Sequence, residues 1–288
     1  MPYQITHRTT YSYLNDVTFS QHVAHLRPRT FPGHTCLSHE LSISPPPAQL
    51  STREDYFGNT THSFTLSGSH KELVITSKST VEIAPRKWPQ PAKTSAWNAL
   101  INSRSELLPL EAQEYIFPSN YVPTSQELIS YASLSFAPDR PLLEAASDLM
   151  SRIHSEFTFD PTATTVATPI ETVLQKRRGV CQDFAHLQIA CLRSLGLPAR
   201  YVSGYLETLP PPGKTKLVGA DASHAWLQIF VPDFGWIDLD PTNNTLPNSR
   251  HITVAWGRDF DDVTPIRGVI SGGGRHSLAV AVDVVLTS

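Results

Sequence analysis

At 288 residues with 40% apolar content, the chain can fill one large or two ordinary hydrophobic cores. A net charge of −3, with basic runs no longer than Lys176-Arg177-Arg178, excludes the electrostatic footprint of a nucleic-acid binder. Three cysteines (Cys36, Cys181 and Cys191) leave one thiol over after any pairing, and there is neither an apolar leader near Met1 nor a stretch of roughly 18 apolar residues, so the expectation is a cytoplasmic protein with no disulfide framework and no membrane association.

From Tyr3 to Tyr13 the apolar and aromatic residues Tyr3, Ile5, Tyr11 and Tyr13 alternate with polar ones, the pattern of a half-buried strand. Turn signals follow at Asn15-Asp16, Pro32-Gly33, Pro45-Pro46-Pro47 and Gly58-Asn59, with β-rich runs between them and at Leu73-Val74-Ile75 and Val81 to Ile83. Residues 1–84 therefore read as an antiparallel β domain. Pro85, Pro89 and Pro91 interrupt regular structure, so residues 85–96 read as a connector to a core over 97–288 that includes the C-terminal strands. Within that core, Leu142, Leu143, Ala146, Leu149, Met150 and Ile153 recur at helical spacing after Pro138 and Pro141. Thr168-Pro169-Ile170-Glu171 carries a capping-box pattern with proline at the first helical position. Lys176-Arg177-Arg178 reads as a solvated helix end. From Arg200 onward the pattern returns to strands, ending in Leu278 to Leu286.

Gly179-Val180-Cys181-Gln182-Asp183-Phe184 opens a helix whose apolar positions Phe184, Leu187, Cys191 and Leu195 fall three and four apart, closed by Gly196 and Pro198. Cys181 is thus at a helix N-terminus, where free N–H groups and the helix dipole favour a thiolate, the nucleophilic form. Taken alone, it reads more readily as a small buried hydrophobe. Further on, Asp221-Ala222-Ser223-His224-Ala225-Trp226-Leu227 opens a strand with His224, Trp226, Gln228 and Phe230 on one face. After a turn around Pro232 to Gly235, a second strand places Trp236, Asp238 and Asp240 on one face. Nucleophile, base and orienting acid are then all on offer, with the acid open between Asp238 and Asp240. A shared face for His224 and Asp240 requires an odd-length turn or a bulge between Val231 and Trp236.

Four ordered blocks carry a resemblance: Gly179 to His186, Gly196-Leu197-Pro198-Ala199-Arg200-Tyr201-Val202-Ser203-Gly204-Tyr205, Ser223-His224-Ala225-Trp226, and Gly235-Trp236 with Asp240-Pro241-Thr242-Asn243. They resemble the bacterial transglutaminase-like superfamily. Tyr3-Gln4-Ile5-Thr6-His7 and Asp55-Tyr56-Phe57-Gly58-Asn59 resemble the β-rich N-terminal domain of many of its members, whereas residues 86–135 match no block. The resemblance implies an α+β fold: an N-terminal antiparallel β-sandwich-like domain and a papain-like, transglutaminase-like core. It also implies a Cys-His-Asp triad on Cys181, His224 and Asp240, the Asp-Pro-Thr match favouring Asp240 over Asp238. The implied chemistry is thiolate attack on an amide of a peptide or protein substrate, without a cofactor. The Cys181 backbone N–H is a natural oxyanion donor, and Gln182 and Trp226 are adjacent candidates for the second.

Other signals carry less. Cys181, His186 and Cys191 are expected to form no metal site, because residues five apart on a helix point about 140° apart. His186 and Cys191 read as residues packed against the core. Ser271-Gly272-Gly273-Gly274 lacks a phosphate-loop ending and reads as a flexible turn or cleft wall, and Asp259, Asp261 and Asp262 read as solvated loop acids. Three functions remain: hydrolysis by a cysteine peptidase or amidase, acyl transfer to an amine as in a true transglutaminase, and a non-catalytic binding module that keeps the fold. The module has no physical need of Cys, His and Asp at these places. Hydrolysis is preferred over transfer because water needs no second substrate site.

Overall fold

A computed structural model describes residues 2–208, 222–232 and 234–287. The turn and strand readings at Asp221 and Asp233 lie outside the described residues. The N-terminal region holds β1 (Pro2–Ala24), β2 (His34–Ser44), β3 (Gln49–Glu54), β4 (Thr60–Leu66) and β5 (His70–Ile83). β1 does not end at Asn15-Asp16, where the sequence suggests a turn. Its register slips between Ser12 and Val17, and the strand changes partners there, from β5 along its first half to β4 along its last residues. The Asn-Asp pair therefore marks an irregularity inside one long strand.

A helical layer follows: α1 (Trp97–Asn102), α2 (Arg104–Leu107), α3 (Leu110–Gln113), α4 (Gln126–Ser133) and α5 (Leu142–Glu156). The short parallel strands β6 (Thr158–Phe159) and β7 (Arg178–Gly179) flank α6 (Ile170–Lys176) and lead into α7 (Cys181–Ser194). The capping reading at Thr168 is corrected. Pro169 occupies the N-cap of α6, and the Thr168 hydroxyl accepts the Thr165 N–H instead of capping the helix. α7 ends as expected, with Gly196 in the left-handed region (φ +79) and the Leu197 N–H returning to Leu192 O.

The core sheet has the order β10-β9-β8-β11, from β8 (Ala199–Leu206), β9 (Ala222–Val231), β10 (Gly235–Leu239) and β11 (His251–Gly257), with α8 (Phe260–Val263) after it. One face of β9, carrying Ala225, Leu227, Ile229 and Val231, is buried in the main hydrophobic core together with α5 and α7 residues.

The last two strands, β12 (Ile266–Gly272) and β13 (His276–Leu286), both pair antiparallel with β1. The expected core over 97–288 is corrected accordingly. The chain returns to the N-terminal sheet, and Val282 and Val284 of β13 join Tyr3, Ile5, Val81 and Ile83 in the main core. The physical reason is that β1 is hydrogen-bonded on both edges only when β12 and β13 close its second side. The Gly272 to Gly274 turn connects β12 and β13, with Gly273 bonded to Asn15 and Asp16, so it belongs to the N-terminal sheet and not to a cleft.

The N-terminal region also holds the edge of β11 that the core sheet leaves unpaired. Asp55 accepts the Phe57 and Asn59 N–H groups in a turn that needs Gly58 at φ +72. That turn aims Asn59 at the backbone of Trp256, where its side chain takes the N–H and gives to the C=O. His34 accepts the Thr253 N–H. No helix among the described residues is long and apolar enough to cross a membrane.

Candidate active site

The start of α7 is built by its own side chains. Asp183 turns back to accept the Val180 N–H at 2.8 Å and the Thr164 hydroxyl at 2.6 Å. A carboxylate at this third helical position also complements the helix dipole. Burial pushes the Asp183 carboxyl up from its ordinary value, with the two hydrogen bonds opposing. The fold of Asp183 onto the preceding turn leaves no room for a side chain at position 179, since a Cβ on Gly179 would stand 2.7 Å from the carboxylate. Cys181 thereby occupies the first position of α7 with its thiol half-buried and its own N–H outside the intrahelical ladder.

β9 and β10 are joined by three residues, 232–234, with Val231 opposite Gly235 and Leu227 opposite Leu239. This is the expected odd-length turn, and Gly235 takes its left-handed position at φ +75. Continuing the register past Leu239 brings Asp240 to the face of His224. His224 Nε2 donates to Asp240 Oδ2 at 2.8 Å, which leaves its other ring nitrogen for the hydrogen bond with Cys181.

Five donors converge on the Asp240 carboxylate. His224, His251 (2.9 Å) and Asn243 Nδ2 (2.7 Å) meet Oδ2, and the Thr242 and Asn243 backbone N–H groups meet Oδ1. The loop that carries them is pinned by α5, where His154 donates to Thr242 O and Ser151 to Asn244. Burial would raise the Asp240 carboxyl, but the hydrogen bonds from His224 and His251 outweigh it and hold the pKa far below the carboxylate range. Burial likewise works against a charged His224 ring, yet the bonds to Asp240 and Cys181 carry its pKa up to about 10. His251 goes the other way: burial pushes it below its ordinary value, with Asp240 opposing.

Asp238 has a separate task. Its Oδ1 accepts from Trp226 Nε1 (2.8 Å) and Gln228 Nε2 (2.9 Å), and its Oδ2 pairs with Arg86 from the connector. Geometry thus separates the two acids that strand periodicity left open. It also corrects the oxyanion candidate Trp226, whose indole N–H is spent on Asp238. Its ring instead lies beside His224, centroids 5.9 Å apart, and across β8 at Gly204. Gln182 follows Cys181 on α7 and is half-buried.

The remaining signals resolve simply. His186 is buried between Tyr121 and Tyr201 and accepts the Phe260 N–H, and Cys191 is in the core. Asp259, expected in solvent, is 2% exposed and caps α8 while accepting the Tyr121 N–H. His22, His25 and Asp55 make no hydrogen bond to His224 among the described residues. His25 pairs with Asp55 instead. Sequence reasoning missed His251 and the role of Asn243. Asn243 stood inside the Asp-Pro-Thr-Asn block, but a lone histidine at the start of β11 gave no signal.

His224, Asp240 and His251 present ligand atoms within 4.8 Å of one another and could hold a metal ion. Their spacing is already that of hydrogen bonds through one shared oxygen, so an ion would have to displace both.

The model of the bacterial transglutaminase-like N-terminal region matches residues 3–82, and that of the transglutaminase-like superfamily matches residues 131–241. An uncharacterized protein of Mycobacterium tuberculosis H37Rv is 44% identical over 292 residues, covering 98% of this chain and 92% of that one. A Mycobacterium leprae relative is 33% identical over 288 residues, covering 98% of this chain and 97% of its own. A protein-glutamine gamma-glutamyltransferase of Pseudomonas aeruginosa is 29% identical over 164 residues, covering 56% of this chain and 23% of that protein. Among solved structures, a Cytophaga hutchinsonii protein described provisionally as a cysteine protease aligns at TM-score 0.79 and 21% identity, covering 99% of this chain and 90% of that one. The helix that opens at Cys181, the strand pair that joins His224 to Asp240 and the β region wrapped around them are those of a known lineage, and the chain belongs to the transglutaminase-like superfamily, with the N-terminal region of its bacterial members.

Proposed function

We propose that the protein is a thiol-dependent amide-bond hydrolase, a cysteine peptidase or amidase, with Cys181 as nucleophile, His224 as its proton partner and Asp240 as the residue that orients the imidazole. The observation that carries this reading is the continuous hydrogen-bonded path from the five-donor Asp240 carboxylate through His224 to a thiol at a helix start. His224, hydrogen-bonded to the thiol, takes its proton as the attack begins. The sulfur attacks the amide carbon, and the oxygen of the tetrahedral intermediate takes up the charge beside the Cys181 N–H, with Gln182 the adjacent candidate for a second donor. Collapse breaks the C–N bond as His224 gives its proton to the departing amine, leaving a thioester on Cys181. Water, deprotonated by His224, then releases the acid and restores the thiol.

Acyl transfer, in which an amine and not water resolves the thioester, is the second reading, and the similarity to the Pseudomonas aeruginosa enzyme favours it. Incubation with a panel of peptides and glutamine-containing acceptors, with and without added amine, separates the two by mass spectrometry. Backbone or side-chain amide hydrolysis unaffected by amine supports the first reading. Amine incorporation with loss of ammonia supports the second, and inertness of every substrate with wild-type protein counts against both.

A further inference from the structure

Where the N-terminal region meets the core sheet there is a cavity of about 650 Å³. It lies on the same face of β9 as the site, at Gln228, about 13 Å along the strand from His224. Trp226 and Asp238 fill the space between the two. The walls are aromatic, with Phe31 and Trp88 from the N-terminal side and Tyr115, Trp236 and Trp256 from the core.

Arg200 forms part of the wall although it is only 7% exposed. Its guanidinium stacks over Trp256 (3.8 Å to the ring centroid) and Trp236 (4.2 Å), and its Nε donates to the neutral Gln228 side chain at 2.7 Å. Among the described residues no carboxylate lies within ion-pair distance of it. The nearby buried carboxylate, Asp238, is taken by Arg86, Trp226 and Gln228. A second, half-buried cation, Arg29, covers Trp256 at 3.6 Å and donates to Asn59 Oδ1 and Phe57 O, with Asp55 nearby. Stacking on aromatic rings offsets only part of what desolvating a cation costs. Arg200 therefore meets the cavity without a direct ion pair, its charge offset by the Tyr115 hydroxyl and by Asp238 behind it, between flat apolar walls. Glu111 and Glu114 also line it and, being partly or fully exposed, keep much of their hydration. They disfavour a polyanion and favour a ligand with N–H donors behind its acid group.

We propose that this cavity is a binding site for a single carboxylate carried on a flat apolar group, the chemistry shared by a peptide ending in an aromatic residue and a free N-acylated aromatic acid. The site does not depend on the reaction proposed above, and it can be read in Cys181→Ala protein, where turnover is removed. Trp88, Trp236 and Trp256 line the cavity and report occupancy by fluorescence. The probes are N-acetylphenylalanine, its C-terminal amide and the tripeptide Ala-Ala-Phe, each titrated by fluorescence and calorimetry.

The expected result is that N-acetylphenylalanine binds at least tenfold more tightly than its amide. A further tenfold gain for Ala-Ala-Phe identifies a peptide terminus as the ligand, and equal affinity identifies the free acid. Arg200→Gln should abolish the preference for acid over amide. Phe234→Glu, a change at a half-exposed lining residue that leaves Arg200 intact, should weaken the acid selectively and serves should Arg200→Gln fail to fold. Equal affinities of acid and amide for the unmodified cavity, no binding of either, or an acid affinity unchanged in both variants would overturn the proposal.

Discussion

His251 Nε2 and Asp240 Oδ2 lie 2.9 Å apart in a buried contact, on the same carboxylate oxygen that His224 meets at 2.8 Å. The second histidine competes with the first for this oxygen and helps keep the carboxylate ionised and fixed. Loss of one hydrogen bond to a charged group costs about 1.5–3 kcal/mol, or roughly 10- to 100-fold in rate when expressed in the transition state. His251→Ala and Asn243→Ala should each lower kcat on that scale with little change in KM. The alkaline limb of the pH profile should also move, because Asp240 would hold His224 differently. An unchanged profile with normal kcat would remove both residues from the positioning role.

The raised pKa of His224 has a defined pH signature. A folded value near 10 against an ordinary 6.5 means its contribution to stability is complete below about 6.5 and is lost as pH rises through about 10. The proton needed by the departing amine disappears over the upper part of that window. Amide turnover should therefore persist to about pH 10 and fall above it, measured as kcat/KM against pH on one peptide. A fall already near pH 7 would show that His224 titrates as an ordinary imidazole.

The acid side belongs to the N-terminal region. Burial pushes His7, His22, His34 and His39 each down to about 4, so their neutral forms support the fold above about 6.5, and that support is lost as pH falls toward 4. Buried nitrogens of His22 and His39 have no partner among the described residues. The melting temperature should drop steadily between pH 6.5 and 4.5, and a flat profile would contradict these burial effects.

Gly204 is pressed by two neighbours. A Cβ there would stand 2.1 Å from Ile252 O and 2.6 Å from the Trp226 ring. Gly204→Ala should destabilise the protein by about 1–3 kcal/mol through overpacking. It should also lower turnover, since Trp226 lies against His224. Wild-type stability and rate together would refute the packing argument.

Much of this was legible because it is local. The helix start at Cys181, its end at Gly196 and the odd turn between β9 and β10 all follow from residues within one or two turns of each other. Partners distant in the chain were not. Strand periodicity marks Leu278 to Leu286 as a strand but carries no information that its partner is β1, some 270 residues earlier. The same limit hid His251, which reaches Asp240 only because the 240–245 loop folds back, and it hid Arg86, whose meaning depends on Asp238. Asn15-Asp16 misled for the opposite reason, since turn-forming residues also serve where a long strand changes partners.

The central claim, that Cys181 is the reacting nucleophile, is tested most directly by limited alkylation with iodoacetamide at neutral pH, followed by peptide mapping and by assay of the same samples for amide hydrolysis. Cys191 is fully buried in the core, and burial pushes its thiol up to about 12, so it should stay unlabelled. Cys181 should be carboxamidomethylated first, with activity lost in proportion, and Cys181→Ala protein should be folded and inactive. Activity that survives complete modification of Cys181, or that persists in Cys181→Ala, would contradict the assignment.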